Sequence, residues 1–313
     1  MLYNSTMIEH YYKKEVPSVM ETLTAPCAGV WTHVIAPSET EFETLIQLYG
    51  LEETIIKDIG DFFEVPRFER EGKSAYFFAR YPYDVKDIDI DTAPILIILG
   101  DTFLITIASQ EVPFLKPFIE GKREFSTIHK TRLFLEFLSE LMMTYEQKLT
   151  RTRRMVYRDM GRVRSIRGRD IQRLVFLEQE LNESISALAP TNTWLNQLTK
   201  GNYIQLFSEE RELLDDLLIE NAQLVDSAKS ILKTIQNIRG ASEAILTQNL
   251  NGTIRMLTAF TIILTIPTLI ASLFGMNVDI PFDNNPYGFV IVLGSILCVI
   301  GITLYFFRRN RWL

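Results

Sequence analysis

Along the chain, apolar and polar positions alternate in two different rhythms before giving way to two unbroken apolar runs. In the first 125 residues the short apolar stretches "GVWTHVIA" (29–36), "SAYFFARYP" (74–82), "PILIILG" (94–100) and "TFLITIAS" (102–109) are rich in aromatic and β-branched residues. Runs of this length and type predict strands. The Gly100–Asp101 step between the last two predicts a tight hairpin. Ser38 is placed to cap a helix over 39–49, and a second helix is predicted over 51–60. A mixed α/β sheet domain is therefore expected at 1–125.

From about residue 127 the rhythm becomes helical: Leu133, Phe134, Phe137, Leu138 and Leu141 recur at three- and four-residue steps. Pro190, in "APTNTW", is expected to close the second long helix. Ser208 is a candidate N-cap for a third, although Arg211 stands where a capping box wants Glu or Gln. No proline follows until Pro267, so this helix is predicted over about 209–274, on the order of 100 Å at 1.5 Å per residue. Its apolar stripe (Leu217, Leu224, Ile231, Ile238, Ile245, with Ala228 and Ile235) repeats by sevens and predicts helix-to-helix packing.

Residues 256–278 and 287–307 carry no charge, and each run is long enough to cross a hydrocarbon layer of ~30 Å as a helix. Two transmembrane spans are predicted, about 256–274 and 287–307, within a domain at 251–313; 126–250 is the helical cytosolic domain and stalk. Arg255 precedes the first span, Arg308, Arg309 and Arg311 follow the second, and the loop between them holds Asp279 and Asp283 with no Lys or Arg. The positive-inside rule then places both termini in the cytoplasm of a multi-pass cell-membrane protein, its spans in contact with membrane lipids. The polar N-terminus has no cleavable signal pattern.

A second stripe lies on the first span: Asn251, Ile254, Thr258, Thr261, Thr265, Thr268 and Ser272, at steps of 3 and 4. Hydroxyls in membrane helices serve as packing contacts or bond back to their own carbonyls. Alternatively such a face borders water, which requires several copies around a central axis. Gly294, Cys298 and Gly301 suit close packing of the second span.

Composition narrows the function classes. A net charge of −7 argues against nucleic acid as a partner. Cys27 and Cys298 cannot pair on this topology, and three scattered histidines form no soft-metal cluster. No nucleophile, base and orienting group stand together, so no enzyme is expected. Glu209, Glu212, Asp216 and Glu220 share one helical face, while 151–169 holds eight arginines. These arginines are expected to pair with the acidic face near 209–220 or with a neighbouring subunit.

"GMN" at Gly275–Asn277, with Pro267 eight residues upstream, Phe274 just before it and "YFFRRNRWL" closing the chain, resembles the signature of the CorA family of divalent-cation channels. The resemblance implies a funnel-shaped homopentamer that conducts Mg²⁺ passively, with the first span lining the pore. Pore positions carry over to Asn251, Ile254, Leu257, Thr265, Thr268, Gly275, Met276 and Asn277. Thr265 departs from the methionine often found at that level, and the arginines of 151–169 depart from the acidic helices of many members. Asp58, in "LEETIIKDIG", and Asp216, in "EERELLDD", match carboxylates that bind regulatory Mg²⁺ between subunits. A Zn²⁺ or Co²⁺/Ni²⁺ transporter of the same family is an alternative, and a non-conducting membrane-anchored sensor or scaffold is another.

Overall fold

The computed structural model describes residues 7–15, 18–83, 92–160, 168–201, 203–276, 287–310 and 312. The chain packs as two compact units, residues 1–237 and 238–313.

The first unit is built on a seven-stranded sheet. Its strands are β1 (Met7–Tyr12), β2 (Glu21–Leu23), β3 (Val30–Ile35), β4 (Arg67–Glu71), β5 (Ser74–Pro82), β6 (Thr92–Leu99) and β7 (Phe103–Ala108). They lie in the order β2-β1-β3-β7-β6-β5-β4. Only β3 and β7 run parallel, with Val30 opposite Phe103 and Ile35 opposite Ala108. The sheet is thus mixed, as expected. The β6–β7 hairpin turns at Gly100, whose N–H donates to the Phe103 carbonyl at 3.0 Å. A Cβ there would meet the Phe103 ring at 2.2 Å, so any larger residue would have to displace that ring.

Every residue of β6 is buried, which explains its unbroken apolar run: both faces of the sheet are covered. Helices α1 (Glu39–Tyr49) and α2 (Glu53–Lys57), followed by a 3-10 turn at Asp58–Gly60, cover one face. Leu45, Ile55, Ile56 and Ile59 pack there on Tyr76, Phe78, Leu96, Ile98, Ile105 and Ile107. Ser38 does begin α1: its N–H donates to the Glu41 carboxylate at 2.8 Å. Strand residues of opposite parity, such as Phe77, face the long helices: the Phe77 ring lies 4.4 Å from Phe134 and 5.5 Å from Trp194. Several buried polar side chains of the sheet pair with one another. Thr106 Oγ1 accepts from Trp31 Nε1 at 3.0 Å and lies 2.8 Å from His33 Nδ1. Burial pushes the His33 imidazole down to about 4.

After α3 (Lys116–Ile119) come α4 (Lys130–Met160), α5 (Gly168–Lys200) and α6 (Ser208–Phe274). Two expectations fail here. Pro190 does not close α5; it sits inside the helix. The carbonyls around it take side-chain donors: Thr191 Oγ1 to Ala187 at 2.9 Å, Asn221 Nδ2 to Leu188 at 2.9 Å and Thr193 Oγ1 to Ala189 at 3.3 Å. Buried Leu188, Trp194, Leu195 and Leu198 on both sides of the proline hold the helix in one piece. Nor is Ser208 the cap of α6. The Glu210 carboxylate accepts the Phe207 N–H at 2.9 Å, and Arg211 N–H reaches the Phe207 carbonyl at 3.0 Å. The reaching-back acid therefore exists, one residue earlier in register. The heptad stripe is buried at Leu217, Leu224, Ala228, Ile231, Ile235 and Ile238.

The second unit holds the C-terminal part of α6, which runs through Pro267, and α7 (Gly288–Arg309). These two helices are long and apolar enough to cross a membrane. In their most apolar windows only 6% of α6 and none of α7 is buried within the chain.

Candidate ion pathway and cation sensor

On α6 the covered side is Ala259, fully buried, with Ile262, Ile263, Ile266, Pro267 and Ile270 half-buried. At about 100° per residue the side formed by Thr258, Thr261, Thr265, Thr268 and Ser272 lies opposite, and all five are exposed. Asn251, Ile254 and Leu257 are exposed as well. The hydroxyl stripe therefore does not serve packing inside one chain.

The threonines bond back to their own helix. Thr261 Oγ1 donates to the Leu257 carbonyl at 2.9 Å, Thr265 to Thr261 at 2.7 Å and Thr268 to Leu264 at 2.8 Å. Back-bonding fixes which way each hydroxyl points. With its one proton turned into the helix, each oxygen has only acceptor lone pairs to offer outward. Water bound to a cation presents its hydrogens outward, so a row of acceptors suits a hydrated cation.

Helix α6 ends at Phe274. Gly275 N–H still reaches the Ala271 carbonyl at 3.0 Å, and Met276 N–H reaches that of Leu273 at 3.4 Å. Gly275 is not among the glycines with a left-handed backbone, so its place here is not explained by the usual helix-ending glycine. Asn277, Asp279 and Asp283 lie outside the described residues.

Asp58 opens the 3-10 turn after α2, and its Oδ2 accepts from Arg67 Nη2 at 2.5 Å. Arg67 also bonds Glu64 and Glu69, and its guanidinium sits 4.0 Å over the Phe78 ring. The segment is anchored from beneath by buried Arg80. Its Nη1 donates to the Phe62 and Glu64 carbonyls at 2.8 and 3.0 Å, and Nε and Nη2 donate to Thr92 at 3.0 and 2.9 Å. Burial lowers the Arg80 pKa from its ordinary value. Sequence reading missed both arginines. The only signal was the alternation in "RFERE", which puts Arg67 and Glu69 on one face of a strand.

Asp216 is exposed on α6, one turn before Glu220. Glu220 is held above the usual carboxylate range by burial, then by the nearby charges of Glu146 and Asp216. Among the described residues, no group of three or more Asp, Glu, His or Cys side chains within one chain is set to hold a metal ion. Asp58 and Asp216 are hard oxygen donors at the surface, a donor chemistry that fits Mg²⁺, with one Asp58 oxygen already engaged by Arg67.

Among the described residues, no ion pair joins the arginine-rich segment to the acidic face within one chain, and pairing with a neighbouring subunit lies outside a single chain. It is Arg132 that reaches Glu209, at 3.1 Å. Arg153 donates to Ser227 Oγ at 2.5 Å, and Arg162, Arg164 and Arg167 lie outside the described residues.

The sequence profile of the CorA-like Mg²⁺ transporter protein family matches residues 28–309. The chain belongs to the CorA family. The chain is 23% identical to the Cobalt/magnesium transport protein CorA of Methanocaldococcus jannaschii over 301 residues, 91% of each chain. It is 22% identical to the Magnesium transport protein CorA of Pasteurella multocida, over 91% of this chain and 92% of the relative. The complete structure of CorA from M. jannaschii superposes with a TM-score of 0.85 at 21% identity, covering 99% of this chain and 100% of that one. Full-length CmaX gives 0.77 at 16% identity, over 98% of each. CorA membership thus holds for sequence and fold alike, through the sheet domain, the long helix and both apolar helices.

Proposed function

We propose that this chain forms a homopentameric channel that lets Mg²⁺ enter the cell down the membrane potential. The observation that carries the proposal is the stripe of back-bonded threonines on the uncovered side of α6. Five copies around an axis turn that stripe into an acceptor-lined path, with Ile254 and Leu257 as an apolar constriction toward the cytosol and Asn251 beyond it. At the outer end Gly275, Met276 and Asn277 form the mouth, where neutral amide oxygens accept from the ion's water shell without stripping it. Asp279 and Asp283 concentrate cations before it. A divalent ion gains ~4.6 kcal/mol per 100 mV of inside-negative potential, so no nucleotide hydrolysis is required. Cobalt is a second candidate cargo, given the name of the M. jannaschii relative.

Asp58 of one copy and Asp216 of the next bind regulatory Mg²⁺ and hold the channel closed. Their mutual repulsion without the ion supplies the difference in affinity between states that such control requires.

Purified protein in liposomes with a trapped Mg²⁺ dye tests both ideas. Wild type should take up Mg²⁺ under an inside-negative potential, and Asn277→Ala should lower the rate at least tenfold. Absent wild-type uptake, or an unchanged rate in the variant, sinks the channel reading. Asp58→Ala with Asp216→Ala should keep flux high at millimolar internal Mg²⁺; unchanged inhibition removes the sensor alone.

A further inference from the structure

Ion conduction leaves the arginine-rich segment without a task. Four of its described arginines lie on the C-terminal half of α4, and Arg169 stands at the start of α5. On α4, Arg151, Arg154 and Arg158 line an open cleft of about 450 Å³ together with Glu146, Gln147 and Thr150. Steps of three and four residues stack the three guanidiniums on one helix face, over roughly 10 Å of axis at 1.5 Å per residue. All three are exposed, and among the described residues none forms an ion pair. Arg153 is turned away from them, toward Ser227 on α6.

Like charges at this spacing repel one another along a helix. The chain as a whole is negative, with a net charge of −7, so composition does not account for such a row. An anion facing the row would relieve the repulsion. Guanidinium forks take phosphate oxygens in pairs, and three of them in line match a chain of phosphoryl groups better than a single phosphate. The cleft is open to solvent and is bounded only by side chains of α4. Gln147 and Thr150 add neutral donors, and the Glu146 carboxylate suits the divalent cation that accompanies polyphosphates in cells.

We infer that this face of α4 is a binding site for a short polyphosphate, the di- or triphosphate chain of a nucleotide or its inorganic counterpart. The site stands on its own, whether or not the chain conducts ions.

Calorimetric titration of the full-length protein in detergent with inorganic tripolyphosphate tests it. Saturable binding is expected, with at least tenfold weaker binding of inorganic phosphate. R151Q/R154Q/R158Q should weaken tripolyphosphate binding at least tenfold, while R153Q stays within twofold of wild type. Should the triple variant melt early, R154E alone replaces it, with the same loss expected. The inference is overturned if wild type shows no saturable binding, or if these variants bind as wild type does. It is equally overturned if the protein binds phosphatidylglycerol vesicles through these arginines and ignores tripolyphosphate.

Discussion

In the sheet-bearing unit and in the unit of apolar helices, hydrophobic side chains have opposite surroundings. Around β5 and β6 nearly every apolar side chain touches another from the same chain, and Phe77 and Ile97 are fully buried. Along the second half of α6 and all of α7, Leu264, Leu269, Phe289 and Leu297 are more than half exposed. Polar groups divide in the same way. Thr106 holds its partners across the sheet, whereas Thr261, Thr265 and Thr268 hold only their own helix. The first unit thus buries most of its large apolar side chains within the chain, whereas the second leaves most of its own exposed.

Truncating equivalent apolar groups gives the largest contrast. Phe77→Ala should destabilise the sheet unit by about 3–5 kcal/mol, because the cavity lies between Phe68, Phe134 and Trp194. Leu269→Ala, 59% exposed, should cost no more than about 0.5 kcal/mol. Melting of the full-length protein in detergent, followed by tryptophan fluorescence, compares them; equal losses would break the distinction.

Acid gives the next effect. His33 has a pKa of about 4 when folded against an ordinary 6.5. Between those values the unfolded chain takes up a proton that the folded chain refuses, so stability falls as pH drops from 6.5 to about 4 and levels off below. The loss is of order 3 kcal/mol at 1.36 kcal/mol per pH unit. His33→Gln should make that slope shallower in a pH series of melting curves, with buried His10 supplying part of what remains.

The smallest effects separate the two kinds of threonine. Thr106→Val strips Trp31 and His33 of a buried partner and should cost about 1–3 kcal/mol. Thr265→Val should leave melting within about 0.5 kcal/mol yet slow Mg²⁺ uptake severalfold. A stability loss at Thr265 with unchanged uptake would return the stripe to a packing role.

Much of the architecture is legible in the sequence, and the misses share a cause. β3, β5, β6 and β7 are apolar because the sheet is covered on both faces, and composition alone reveals them. β4, "RFERE", and the three-residue β2 are edge strands, where charge and brevity guard an open ladder and hide the strand signal. Pro190 reads as a helix end because its neighbours' side-chain donors come partly from Asn221, a residue far along the chain. In the candidate pathway the threonine periodicity was visible and back-bonding was one of its readings, while only the fold shows that this face is left uncovered by its own chain. Arg67 and Arg80 stayed hidden because their partners gather only when the Asp58 turn folds back onto β5.

The two faces of the sheet also differ in time. The α1–α2 face is made wholly of residues up to Ile107, so it can close while the chain is still being synthesised. The Phe77 face waits for Trp194, roughly 90 residues later, or on the order of 5–20 s of translation at ordinary elongation rates. During that interval a strip of aromatic surface stands open on the nascent chain, a natural landing place for a chaperone.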